Sequence, residues 1–157
     1  FIPQTIEFIK KMQKEGFLPI VITNQSGIGR GYYTLEDFKT LTKYMLEVMN
    51  KEGIKLDDSQ IFFCPHSPED NCSCRKPKPK MILEAIERFN INPLQSLLVG
   101  DKRSDIEASY RANLAKAIYI DSYDSIAKAF DFNSFEELKS PKEILEVITD
   151  REVSNRC

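Results

Sequence analysis

Four residues with metal-binding side chains stand in two close pairs: Cys64-Pro65-His66 and, five residues later, Cys72-Ser73-Cys74. Residues two apart in an extended chain point the same way, and Pro65 keeps Cys64 extended. Each pair can therefore aim two side chains at one point. The turn-forming run Pro68-Glu69-Asp70-Asn71 can fold the pairs together. Three thiolates and one imidazole make a closed tetrahedral zinc site. With no coordination position left open, the expected zinc is structural. The plainer reading is a set of incidental thiols near a surface histidine, but four donors at paired spacing favour the metal. Such clustering also points to a reducing compartment rather than a disulfide framework. Cys157 stands apart and is expected to be a free terminal thiol.

Three further segments carry chemistry. Arg75-Lys76-Pro77-Lys78-Pro79 follows the last candidate ligand directly. It reads either as a solvated basic loop or as a Pro-stiffened cationic loop suited to phosphate. In Leu97-Leu98-Val99-Gly100-Asp101-Lys102-Arg103-Ser104-Asp105, an apolar run delivers Asp101, an oxygen ligand suited to Mg²⁺. Asp105 can orient Lys102, reach a metal-bound water, or simply favour the dipole of the following helix. Thr23-Asn24-Gln25-Ser26-Gly27-Ile28-Gly29-Arg30-Gly31 offers hydroxyls, amides and backbone N–H groups that can hold a phosphate. Its glycine spacing misses the dinucleotide fingerprint, which excludes a nicotinamide or flavin site here.

The elements that must place these residues follow from periodicity. A helix is expected over 3–14, a buried strand over 17–22, and a loop over 23–33. A helix capped by Thr34 runs to Gly53, with Asp37 completing a capping box. Strands are expected over 60–63, 96–99 and 117–120. Helices are expected from Pro79 to Phe89 and from Ser104 to about Ala112, followed by short ones over 135–138 and 142–148. Helices alternating with short apolar strands indicate an α/β fold with a parallel sheet. Chemistry collects past the carboxyl ends of such strands, at Thr23, Cys64 and Asp101. The length of 157 residues fits one domain. Apolar residues at 41% and charged residues at 29% argue against disorder. A net charge of -2 argues against a nucleic-acid partner, and no apolar run is long enough for a membrane.

Taken together, these motifs resemble the haloacid dehalogenase-like phosphohydrolases, whose order is strand-Thr-Asn, then Lys, then Gly-Asp-x-x-x-Asp. The finer resemblance is to the D-glycero-D-manno-heptose 1,7-bisphosphate 7-phosphatases and related histidinol-phosphate phosphatases. It rests on TNQSGIGRGYY, the CPH…CSCRKPKP loop and VGDKRSD, and covers roughly residues 1–120. The resemblance implies a three-layer, Rossmann-like parallel sheet with a zinc-stapled loop. It implies Thr23 and Lys76 as catalytic residues, with Thr23 steadying the transferring phosphoryl group and Lys76 neutralising its charge. Asn24, Gln25, Ser26, Arg75 and Lys102 would bind substrate, and Asp101 would hold Mg²⁺. Cys64, His66, Cys72 and Cys74 would hold Zn²⁺.

The same resemblance implies a first strand ending in Asp-x-Asp, whose first carboxylate attacks phosphorus. No Asp-x-Asp occurs in these 157 residues. The expectation is an N-terminally incomplete single domain over 1–157 that lacks its first central strand and its activity. Residues 18–22 and 97–99 would then flank a gap or pair non-natively. The expected reaction of the complete enzyme is removal of the 7-phosphate from the heptose bisphosphate. Histidinol-phosphate hydrolysis is the alternative within the class, and a non-catalytic zinc-containing binding domain is the alternative outside it. A small phosphorylated sugar, a monomer and a cytoplasmic setting complete the expectation.

Overall fold

In the computed structural model, residues 2–156 are described, with side chains through Arg151. Cys157 lies outside the described residues. The chain divides into two compact units, Phe1–Arg75 and Lys76–Cys157.

The first unit holds helix α1 (Pro3–Lys14), strand β1 (Val21–Asn24), the single turn α2 (Ser26–Gly29), helix α3 (Leu35–Lys51) and strand β2 (Ile61–Cys64). β1 and β2 pair in parallel, with Val21 opposite Ile61 and Asn24 opposite Cys64. Leu46, Met49, Ile54 and Leu56 bury together, and Ile6 and Ile9 of α1 pack against them with Val21 and Ile61. Phe38 of α3 meets Phe63 of β2 with ring centroids 4.7 Å apart. The α3 capping box forms as its sequence requires: Thr34 Oγ1 accepts from Asp37 N, and Asp37 Oδ2 accepts from Thr34 N. These bonds hold the Asp37 carboxyl below its ordinary range.

The second unit holds helix α4 (Lys80–Phe89), strand β3 (Leu97–Gly100), helix α5 (Arg103–Arg111), strand β4 (Lys116–Tyr119), the single turn α6 (Ile126–Ala129) and helix α7 (Pro141–Arg156). β3 and β4 are also parallel, Leu97 facing Lys116 and Gly100 facing Tyr119. Ile106 of α5, Ala117 of β4, and Ile144 and Ile148 of α7 form the core, with Leu98 packed against it.

Several expected boundaries move, each for a local reason. The first strand is Val21–Asn24 rather than 17–22, so Thr23 and Asn24 lie in the ladder. Pro19 has no N–H to give a ladder; its carbonyl instead accepts from Gln60 Nε2 at 2.8 Å. Pro79 caps α4 instead of beginning it. α5 starts at Arg103, its first turn closed by Asp105 rather than capped by Ser104. The expected helix over 135–138 is a single 3-10 turn, Phe135–Glu137, while that over 142–148 extends to Pro141–Arg156.

The single sheet expected from the strand pattern is here two separate parallel pairs, β1-β2 and β3-β4. The apolar strands β1 and β3, expected to be buried, are only half-buried, and Val99 of β3 is 38% exposed; Leu18, expected in the first strand, lies before it and is 47% exposed. A strand in a two-stranded sheet has one neighbour, so one of its edges carries no ladder. No helix among the described residues is long and apolar enough to cross a membrane.

Ile106 is fully buried, whereas Leu41 is 65% exposed. Ile106→Ala is expected to lower stability by about 2–5 kcal/mol. Leu41→Ala is expected to change it by less than about 0.5 kcal/mol. Urea midpoints at unchanged slope would measure both.

Candidate functional site

The β1-β2 register builds the first part of the site. Asn24 lies opposite Cys64, and Gln25 N continues the alignment by donating to Cys64 O at 2.7 Å. Two loops therefore leave the strand ends side by side. The loop after Thr23 turns at once into α2, where Ser26 is the first helical residue. Gln25 Nε2 donates to Thr23 Oγ1 at 2.9 Å, and Tyr33 Oη donates to Gln25 Oε1 at 2.5 Å. Gly29 lies against the second loop, where a Cβ would collide with Ser67 N and Pro65 O. Only glycine lets the two backbones approach so closely.

The second loop carries the four expected metal donors. Cys64 is the last residue of β2 and is buried. Cys64 Sγ lies 3.4 Å from His66 Nδ1, 3.4 Å from Cys72 Sγ and 3.0 Å from Cys74 Sγ. All four donor atoms lie within 4.8 Å of one another. A tetrahedral zinc with bonds of about 2.3 Å to sulfur separates its ligand atoms by about 3.8 Å. The donor set suits one zinc ion, with His66 presenting Nδ1, although the separations from Cys64 Sγ are shorter than this. The three cysteines form no disulfide. Asn71, left-handed at φ 50°, turns the chain between the pairs.

Burial, with hydrogen bonds to Cys74 and Cys72, pushes the Cys64 thiol up to about 12. Burial also opposes ionisation of Cys72, but hydrogen bonds from Arg75 N and from its sulfur neighbours outweigh it and lower that thiol to about 6. Without a metal, these surroundings favour the protonated form of Cys64 and the thiolate of Cys72. A metal would displace the remaining protons.

Arg75 follows this loop, and its Nη1 is buried with no hydrogen-bond partner among the described residues. A buried guanidinium nitrogen lacking an acceptor is costly, and an anion would satisfy it.

The second unit places Asp101 and Lys102 just past β3, both exposed. Asp105 is buried and its carboxylate is fully engaged. Oδ1 pairs with the Lys76 ammonium, and Oδ2 accepts from Lys102 N at 3.1 Å. Side-chain exposure is 11% for Lys76 and 8% for Asp105. A Cβ at Gly100 would strike the Asp105 carboxylate, so the strand end closes down on this pair. Of the readings open for Asp105, orientation of the Lys102 turn is realised. Its bond to Lys76 had no signal in the sequence, because the two lie 29 residues apart. The Asp101 carboxylate is exposed. Tyr33 and Gly29 are further residues that the motif reading passed over.

A family model for haloacid dehalogenase-like hydrolases matches residues 49–119. The chain is 50% identical over 109 residues to a D-glycero-beta-D-manno-heptose-1,7-bisphosphate 7-phosphatase of Helicobacter pylori, covering 69% of this chain and 62% of that protein. The chain thus spans less than two thirds of that relative. It is 39% identical over 108 residues to a probable D-glycero-D-manno-heptose-1,7-bisphosphate 7-phosphatase of Thermoplasma volcanium, covering 69% and 72%. With the D-glycero-alpha-D-manno-heptose-1,7-bisphosphate 7-phosphatase of Campylobacter jejuni, identity is 36% over 147 residues, covering 94% and 80%. Among solved structures, a D,D-heptose 1.7-bisphosphate phosphatase from B. bronchiseptica, complexed with magnesium and phosphate, superposes with TM-score 0.72 at 24% identity, covering 96% and 84%.

Protein purified without chelator is expected to carry about one zinc per chain by elemental analysis. Cys72→Ser combined with Cys74→Ser is expected to abolish it, and full occupancy in that variant would refute the metal site. Zinc uptake by the stripped protein in weak buffer is expected to release protons, since thiols give up their protons to bind metal and burial favours the protonated form of Cys64. Asp105→Ala removes the carboxylate that pairs with the Lys76 ammonium and is expected to lower stability, read as a lower thermal midpoint.

Proposed function

The chain belongs to the haloacid dehalogenase-like hydrolase family, and we propose that it forms most of a phosphatase acting on the 7-phosphate of D-glycero-D-manno-heptose 1,7-bisphosphate. The observation that carries this reading is the β1-β2 register. It sets a hydroxyl- and amide-rich loop beside a Cys/His loop in a chain akin to proteins of that name.

In this reading Thr23 donates to an oxygen of the transferring phosphoryl group, and Lys76 offsets its charge. Asn24, Gln25, Ser26, Arg75 and Lys102 serve the substrate. Asp101 helps hold Mg²⁺, which supplies further positive charge at the phosphoryl oxygens when bound. Cys64, His66, Cys72 and Cys74 hold a structural zinc that fixes the loop leading to Arg75. Reduced thiolates of this kind fit a cytoplasmic setting.

Hydrolysis proceeds by carboxylate attack on phosphorus, giving an aspartyl-phosphate that water then cleaves. None of the 157 residues stands in an Asp-x-Asp. These residues by themselves are therefore proposed to release no phosphate.

The test measures phosphate release from heptose bisphosphate and from histidinol phosphate. It uses this chain alone and the chain preceded by a strand ending in Asp-x-Asp. Turnover of the bisphosphate only by the extended protein is the expected result. In that protein Lys76→Met is expected to slow turnover by about 10²–10³. Asp101→Asn is expected to raise the Mg²⁺ concentration required. Mg²⁺-dependent turnover by the 157 residues alone would overturn the assignment of the nucleophile. A preference for histidinol phosphate would overturn the substrate.

A further inference from the structure

We propose that Tyr33 is a positioning residue: acting through Gln25, it leaves the Thr23 hydroxyl hydrogen directed at the phosphoryl group. The proposal deepens the phosphatase reading and rests on Thr23 being a phosphoryl contact. It turns on the polarity of a three-member hydrogen-bond chain.

A side-chain amide has one accepting end and one donating end, and its orientation is fixed by what surrounds it. The two contact lengths identify the ends. Tyr33 Oη and Gln25 lie 2.5 Å apart, at the short end of the O–H···O range and too short for N–H···O. Thr23 Oγ1 and Gln25 lie 2.9 Å apart, the usual N–H···O length. A phenolic hydroxyl is moreover a better donor than acceptor. Tyr33 thus holds the amide oxygen, and the amide nitrogen faces Thr23. The threonine oxygen accepts from it, and among the described residues no group takes the hydroxyl hydrogen.

The surroundings keep each member in place. Gln25 is tethered at its backbone, where its N–H donates to Cys64 O at 2.7 Å. The Tyr33 ring lies so close over Gly27 that a Cβ there would overlap it. Thr23 itself is held in the β1-β2 ladder, opposite Phe63. Without the Tyr33 hydroxyl the amide is free to turn over. Its oxygen would then face Thr23 and capture the hydrogen otherwise given to phosphate.

The test titrates inorganic phosphate into the zinc-loaded protein by calorimetry, with zinc content checked in each variant. Tyr33→Phe keeps the ring and is expected to weaken phosphate binding roughly threefold to tenfold. Thr23→Val is expected to weaken it by roughly tenfold or more. The decisive expectation is non-additivity. Tyr33→Phe should have no further effect in the Thr23→Val background, and its effect should return in the Thr23→Ser background. Gln25→Met, which removes both side-chain bonds, should weaken binding in the same direction as Tyr33→Phe and serves where that variant does not fold. Unchanged affinity in Tyr33→Phe, or the same loss in both backgrounds, overturns the proposal. Binding that is lost in Lys76→Met but untouched by Tyr33→Phe overturns the positioning role alone. No phosphate binding by the unaltered protein overturns the phosphoryl reading of Thr23 and this proposal with it.

Discussion

Parallel pairing of β1 with β2 sets Asn24 opposite Cys64, and the chemistry of the first unit depends on that register. Because side chains alternate along a strand, a slip by one residue would turn every side chain of β1 to the other face. The bond from Gln25 N to Cys64 O carries the alignment one residue beyond the ladder. The loop that begins at Thr23 and the loop that carries the four donors then share a wall. Gly29 packs on the backbone of Pro65 to Ser67, so the two loops are in direct contact. A metal that fixes the second loop also steadies the first.

The second unit is organised by one buried carboxylate. A charge out of water is tolerated only when paired and hydrogen-bonded. Asp105 meets both conditions, with Lys76 on one oxygen and Lys102 N on the other. The same residue lies in the first turn of α5, where the helix dipole favours a negative charge. It therefore ties the basic segment, the turn that carries Asp101 and Lys102, and the start of a helix to the end of β3. Burial of Ile106 directly after it anchors this turn in the core.

Both sheets draw their stability from helices. A lone pair of strands is marginal in water. β1 and β2 are covered by apolar residues of α1 and α3, and β3 and β4 by those of α5 and α7. The cover is incomplete: every residue of β1 is only half-buried, and Val99 of β3 is exposed.

Much of this was legible in the residues themselves. The Thr34-Asp37 box, the apolar stripe of α3, the parallel strands and the paired spacing of Cys64, His66, Cys72 and Cys74 rest on contacts a few residues long, which local pattern encodes. The family was legible too, because its motifs are short runs of residues with fixed chemistry. Tertiary structure alone decided the rest. Pro19, which has no N–H for a ladder, has its carbonyl bonded by Gln60, 41 residues away. Asp105 could be read as a helix-dipole residue, but only folding brought Lys76 to its carboxylate. The division of four strands into two parallel pairs depends on which edges meet in space. The polarity of the Tyr33, Gln25 and Thr23 chain depends on distances of a few tenths of an ångström. Periodicity reports which face of an element is apolar. It does not report which polar group will stand opposite once that face is buried.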